Sequence, residues 1–294
     1  MSTTGPSATD ADARPPWVGR LLMIGAVLLW STSGLFAKSD VFANWPETDR
    51  GLLFGFWRAA FAGLLLLPFA RRVRWDVRLV PMSLSFAVMN ASFLSAMVLT
   101  TAANAIWLQA TAPLWVLLFS IVYLRYRAGP ADWAFAALCL SGIGVIFWRE
   151  VGGAQPAGVV LGLVAGISFG GVVMWLHALR HENSIFLVVV NQAVSAAVVL
   201  PLILWLGAWH TPSANQLVVL AAFGLVQIGI PYLLMATAVR SISGLEASVL
   251  ALLEPLLVPL WVALFRNELP STATMAGAAL ILLGLVAKYA GGRK

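Results

Sequence analysis

Residues 247–265 read ASVLALLEPLLVPLWVALF, nineteen positions with one charged side chain, Glu254, set against Pro255. The stretch is close to the ~20 residues a helix needs to cross a hydrocarbon core. Its apolar residues do not alternate with polar ones, as the strands of a membrane barrel would require. A helix in lipid is the remaining reading, because only helices and closed barrels satisfy every backbone polar group there. Working outward, the same character recurs in LLLLPFA at 64–70 and LVVLAAFGLVQIGIPYLL at 217–234. Over all 294 residues, 61% are hydrophobic and 10% charged, with a mean hydropathy of +0.90. A soluble domain carries roughly 25% charged residues. A soluble enzyme, a secreted disulfide scaffold and a disordered chain are therefore excluded. The lone Cys139 lies in an apolar run and reads as a buried, inert thiol.

Ten spans follow from the same reading: Gly19–Ala37, Gly51–Ala70, Leu79–Leu99, Ala102–Leu124 and Trp133–Trp148, then Val151–Leu176, Ile185–Leu206, Leu217–Val239, Ala247–Phe265 and Thr272–Ala290. Residues 1–18 are polar and proline-bearing and read as a disordered cytoplasmic tail. The first apolar run continues through Trp30, Ser31 and Thr32 with no small-x-small cleavage site, so it reads as an uncleaved helix rather than a signal peptide. With ten spans, thirteen of the eighteen Lys and Arg fall on the side of the N-terminus and four on the other, Arg58 lying inside a span. Basic residues accumulate on the cytoplasmic side, so both termini are expected there. The net charge of +6 has the same origin: the basic residues are scattered over short loops, and no soluble nucleic-acid-binding module accompanies them.

The two halves resemble each other. A shift of 142 positions carries Pro113 to Pro255, Gly142 to Gly284, and Ala136, Ala137 and Leu138 to Ala278, Ala279 and Leu280. The expected units are residues 19–150 and 151–290. Five spans in each, an odd number, give the halves opposite orientations, and inverted repeats place a substrate site between them near the midplane.

Trp30-Ser31 in the first span, AIWLQATAPLWVLLFS at 105–120 and the Glu254-Pro255 stretch together resemble the drug/metabolite transporter superfamily, of the EamA-repeat type, over about residues 20–290. Overall likeness and aromatic richness look most like the bacterial aromatic amino acid exporters. The resemblance implies alternating access through a central cavity, with the fifth and tenth spans at the periphery.

Glu254 is the one carboxylate deep in a span, where a charge costs roughly 2.5–3.5 kcal/mol on insertion scales. It takes a substrate ammonium or a proton, or serves as a structural acid. Pro113 and Pro255 each remove a helix hydrogen bond and read as matched hinges around a central pathway. Trp107, Thr111 and Trp115 fall at i, i+4 and i+8, on one helix face. With Trp30, Asn90, Trp175 and Tyr232 they complete the candidate substrate-binding set. Arg58 is expected to snorkel outward, to pair with Asp40, Glu47 or Asp49, or to hold a substrate carboxylate. Ser243 and Glu246 read as a capping box. Gly158, Gly162, Gly166 and Gly170 repeat every four residues and form a packing groove. Gly166 to Gly170 also spells G-x-S-x-G, but that nucleophile motif requires a strand-turn-helix setting and here lies inside a helix. No Walker loop, H-E-x-x-H or GxGxxG occurs, so neither cofactor nor metal is expected.

The expectation is an all-α transporter of amino acids, aromatic ones favoured, working in contact with membrane lipids. Drugs or other small metabolites are the first alternative. A membrane-embedded lipid-handling protein or enzyme is the second.

Overall fold

The computed structural model describes residues 15–70, 75–151 and 156–291. Residues 1–14 of the expected tail, and Arg71, Arg72, Arg74, Arg293 and Lys294 among the other basic residues, lie outside them. The described elements are helical: α1 (Pro16–Trp30), α2 (Ser33–Ala37), α3 (Glu47–Leu66), α4 (Leu79–Leu99), α5 (Ala102–Gln109), α6 (Ala112–Tyr123), α7 (Pro130–Val151), α8 (Pro156–Ala178), α9 (Ser184–Trp205), α10 (Ala214–Gly224), α11 (Ile230–Ala238), α12 (Gly244–Ala251), α13 (Glu254–Arg266) and α14 (Thr272–Gly291). Grouped into continuous apolar segments, nine among the described residues are long enough to cross a membrane, and Thr272–Lys288 is a shorter apolar helix beside them. Two expected boundaries are corrected. The first helix begins at Pro16, inside the expected tail, because proline suits the first turn, where its missing N–H costs nothing. Val151 closes α7 rather than opening the sixth span, which starts at Pro156 for the same reason.

Several spans are not single helices, and the sequence says why. Between α1 and α2 the Ser31 and Thr32 hydroxyls donate to the carbonyls of Leu28 (2.8 Å) and Leu29 (2.6 Å), competing with the helix ladder. Between α5 and α6, the Thr111 hydroxyl donates to the Leu108 carbonyl at 2.5 Å, and Pro113 has no N–H for Gln109. Between α12 and α13, Pro255 has none for Ala251. Proline alone does not decide the outcome, because Pro201 and Pro259 sit inside α9 and α13 without ending them. Pro231 likewise has no N–H for the Gln227 carbonyl, and here the helix widens into a π turn over Leu225–Gly229 that joins α10 to α11. The breaks at Ala110-Thr111 and Leu252-Leu253 are related by the shift of 142 seen in the sequence.

Helix α4 is the most buried span and packs most extensively on α8. The glycine stripe makes this possible. A Cβ on Gly158 would lie 2.7 Å from the backbone of Leu99, and one on Gly166 would lie 2.5 Å from the Leu108 carbonyl and 2.8 Å from the Thr111 hydroxyl. The stripe therefore runs along the end of α4 and both pieces of the broken fourth span. At the foot of α4 the Asp76 carboxylate accepts from the Arg78 backbone and side chain, and that guanidinium holds the carboxyl down to about 2.

Helices α7 and α14 pair antiparallel. A Cβ on Gly142 would meet the Gly277 carbonyl at 2.6 Å and Ile281 at 2.7 Å, while one on Gly284 would meet Leu138, Cys139 and Phe135. Shifted by 142, the approach of Gly142 to Gly277 and Ile281 corresponds to that of Gly284 to Phe135 and Cys139.

Polar contacts close one end of the bundle. Lys38 Nζ lies 3.0 Å from Glu268 Oε2 and donates to the Thr100 carbonyl at 2.8 Å, and Glu268 Oε1 accepts the Ala102 N–H at 2.7 Å. Arg266 pairs with Asp40, His210 with Asp49, and Gln216 donates to the Val41 carbonyl. At the opposite end Arg20 pairs with Glu246. That contact corrects the capping-box reading. Ser243 does accept the Glu246 N–H, but the Glu246 carboxylate turns to Arg20.

Candidate substrate site

Arg58 sits in the fourth turn of α3, and only 3% of its surface is exposed. It neither snorkels nor meets the outer carboxylates, because Asp40 and Asp49 are engaged elsewhere. Instead one guanidinium nitrogen donates to Gln227 Oε1 at 3.0 Å and another to Asn90 Oδ1, while the Phe223 ring lies 5.4 Å below the charge. A cation over an aromatic face is favourable, more so without competing water. The Asn90 amide nitrogen donates to the Gly55 carbonyl and to Ser195 Oγ, both at 2.9 Å. Asn90 is thus fully enclosed and uses its whole amide to fix Arg58 between α3, α4 and α9.

The π turn supplies the other partner. Gln227 accepts from Arg58 and donates from Nε2 to the Trp30 carbonyl at 3.2 Å, at the end of α1. The Trp30 ring meets Tyr232 edge-on, with centroids 5.4 Å apart. Glu254 is half-buried at the first position of α13, where the positive end of the helix dipole favours a carboxylate. Arg58, Tyr232 and Glu254 lie within electrostatic reach of one another. Among the described residues no side chain or backbone group hydrogen-bonds the Glu254 carboxylate. The neighbouring break is latched separately, as Trp261 Nε1 donates to Ser31 Oγ at 2.8 Å.

Of the residues singled out from the sequence, Trp30, Tyr232 and Glu254 are brought together, with Asn90 behind them through Arg58. Trp115 donates to Thr111 Oγ1 at 3.1 Å, and both lie against the glycine stripe of α8. Trp107 and Pro255 share the wall of a separate apolar groove of about 280 Å³ between α5, α13 and α14. Pro113 opens α6, whose main neighbour is α8. Trp175 packs in a small cluster with Leu79, Met82 and Leu187. Gln227 escaped the sequence reading. The available signal was a lone amide inside an apolar run, four residues before a proline.

The arrangement offers a half-buried carboxylate within electrostatic reach of Tyr232, whose ring meets Trp30, with the nearest cation locked away by neutral partners. It can accept a cationic group of a small amphipathic molecule.

The chain matches the EamA-like transporter family twice, over residues 17–148 and 156–288. It is 26% identical over 271 residues to an uncharacterized transporter of Archaeoglobus fulgidus (strain ATCC 49558 / DSM 4304 / JCM 9628 / NBRC 100126 / VC-16), spanning 91% of this chain and 95% of that one. It is also 26% identical over 284 residues to the uncharacterized transporter YwfM of Bacillus subtilis (strain 168), spanning 93% and 94%. A solved structure described only as "Crystal structure of protein" superimposes with a TM-score of 0.61 over 94% of this chain and 97% of that one, at 21% identity, a likeness of fold. The two matched halves cover almost all of a chain rich in membrane-crossing helices, and this protein is a multi-pass membrane transporter belonging to the EamA-like transporter family.

Proposed function

We propose that the protein exports amino acids across the bacterial inner membrane, favouring aromatic ones but with broad specificity, by alternating access. Ten crossings as two inverted repeats, with both termini cytoplasmic, complete the reading. The reciprocal packing of Gly142 and Gly284 supports the inverted repeat, and the uneven distribution of basic residues supports the orientation. The observation that carries the substrate reading is the Glu254 carboxylate, free of hydrogen-bond partners among the described residues and set near the Trp30–Tyr232 pair. A substrate ammonium supplies the missing partner, and the ring faces add attraction for the same charge. Carbonyls freed beside Pro113 and Pro255 receive further N–H groups and let the broken spans pivot. A largely apolar wall reads side chains by size, and one methylene is worth only about 1–3 kcal/mol there, so several amino acids pass.

A second reading, export of amines or other cationic drugs and metabolites, is favoured by the enclosure of Arg58, which leaves a substrate carboxylate without an exposed cation. Uptake of radiolabelled amino acids and amines into proteoliposomes, with and without a pH gradient, separates the two. Glu254→Gln keeps shape and loses charge, and is expected to lower transport of every carried substrate without unfolding the protein. Wild-type rates in that variant overturn the role of the carboxylate, and transport of one amino acid alone overturns the breadth. Reporter fusions at Gly153 and Lys294 are expected on opposite sides of the membrane.

A further inference from the structure

We propose that Gln227 is the positioning residue of the transport site. One amide holds the Arg58 charge with its oxygen and the broken end of α1 with its nitrogen, and so sets where the Trp30 ring stands. The inference rests on the reading of Trp30, Tyr232 and Glu254 as the substrate-facing group.

Three observations converge on it. Gln227 is 3% exposed and both ends of its amide are used, at 3.0 Å to Arg58 and 3.2 Å to the Trp30 carbonyl. The orientation is forced, because a guanidinium only donates and a carbonyl only accepts. Second, the acceptor at residue 30 exists because α1 stops there: the last carbonyls of a helix have no partner within it. Third, Gln227 reaches both groups from the π turn, the one place in the eighth span where the backbone is widened. The turn is seated by two close approaches. A Cβ on Gly224 would lie 2.9 Å from the Arg58 carbonyl, and one on Gly229 would lie 2.5 Å from Leu65. Pro231 prevents the turn from closing into a regular helix, and Tyr232, the next residue, meets the Trp30 ring. A single irregularity therefore presents both the amide that anchors Trp30 by its backbone and the ring that meets it by its side chain.

Gln227→Glu tests this. The carboxylate keeps an acceptor for Arg58 and removes the N–H that the Trp30 carbonyl receives. In proteoliposomes the KM for a carried amino acid is expected to rise about tenfold, with the maximal rate within about twofold of wild type. Trp30→Ala keeps the carbonyl and loses the ring. If Gln227 works through that ring, the double variant has the KM of Trp30→Ala alone, to within about twofold. A double-variant KM equal to the product of the two single effects overturns the proposal. A readout without substrate accompanies it: amide hydrogen exchange over residues 31–36 is expected to quicken in Gln227→Glu and in Gln227→Met, both judged against their unfolding midpoints. Unchanged exchange in folded variants overturns the proposal. If the wild-type protein carries no amino acid in the panel, the substrate reading falls, and the exchange measurement still decides the role of Gln227.

Discussion

A single guanidinium shows how a charge is made tolerable inside this bundle. Arg58 is held by neutral amides and an aromatic face rather than by a carboxylate in hydrogen-bond contact. Replacing it with Met leaves Asn90 Oδ1 and Gln227 Oε1 enclosed without a donor, and an unsatisfied buried group costs roughly 1–3 kcal/mol. Arg58→Met is therefore expected to lower the unfolding midpoint in detergent. Equal midpoints for wild type and Arg58→Met would contradict this. The sequence made Arg58 and Asn90 conspicuous separately but could not pair them. They are 32 positions apart on different helices, and the oxygen that completes the set comes from residue 227. Outer acids close in sequence were the obvious partners for Arg58, yet each of the two resolved pairs is satisfied at the end of the bundle, Asp40 by Arg266 and Asp49 by His210.

Among elements, the breaks matter more than the helices. Proline marked the fourth and ninth spans in the sequence. Thr111 read as a substrate-facing hydroxyl and Ser31 as part of the Trp30-Ser31 pair, and nothing in the sequence marked either as helping to unwind its span. The π turn had no local signature beyond Pro231. The stripe on α8 was legible as packing, but its partner, the broken fourth span, was not, since periodicity shows that a face is narrow without showing what fills it. Gly166→Val is expected to push the Leu108–Thr111 break away from α8 and destabilise the protein by about 1–3 kcal/mol, the usual cost of overpacking. Gly144→Ala, where an added Cβ meets nothing within 4 Å, is the matched control and is expected to be neutral. Unfolding in detergent of the two variants side by side makes the comparison. A Gly166→Val protein as stable as wild type would show that the break yields freely.

For the whole molecule, the end closed by Lys38, Glu268 and Ala102 ties the connection after α2 to the start of α5 and to the connection between α13 and α14. Glu268→Ala removes an ion pair and a backbone cap together. At about 1 kcal/mol for such a partly buried contact, the open population rises about fivefold. Ser33, fully buried on α2 with a hydroxyl that has no partner among the described residues, is a suitable reporter. Maleimide labelling of Ser33→Cys in a Cys139→Ala background is expected to quicken by that factor when Glu268→Ala is added. An unchanged rate would place the closure elsewhere.

The three heaviest packings in the bundle cross between its halves: α4 on α8, α7 on α14 and α3 on α9. This bears on biosynthesis. The ribosome delivers α1 to α7 first, and those helices enter the bilayer before the surfaces they pack against exist. The nascent half must wait with the larger part of its packing surface uncovered beyond the α3–α4 contact, and with Arg58 anchored by Asn90 alone until the π turn arrives, and it is open to membrane proteases in that interval. A chain ending at Val151 is expected to be short-lived in cells. Co-expression of residues 152–294 as a second chain is expected to restore both its lifetime and transport, because assembly depends on the late helices and not on the covalent link.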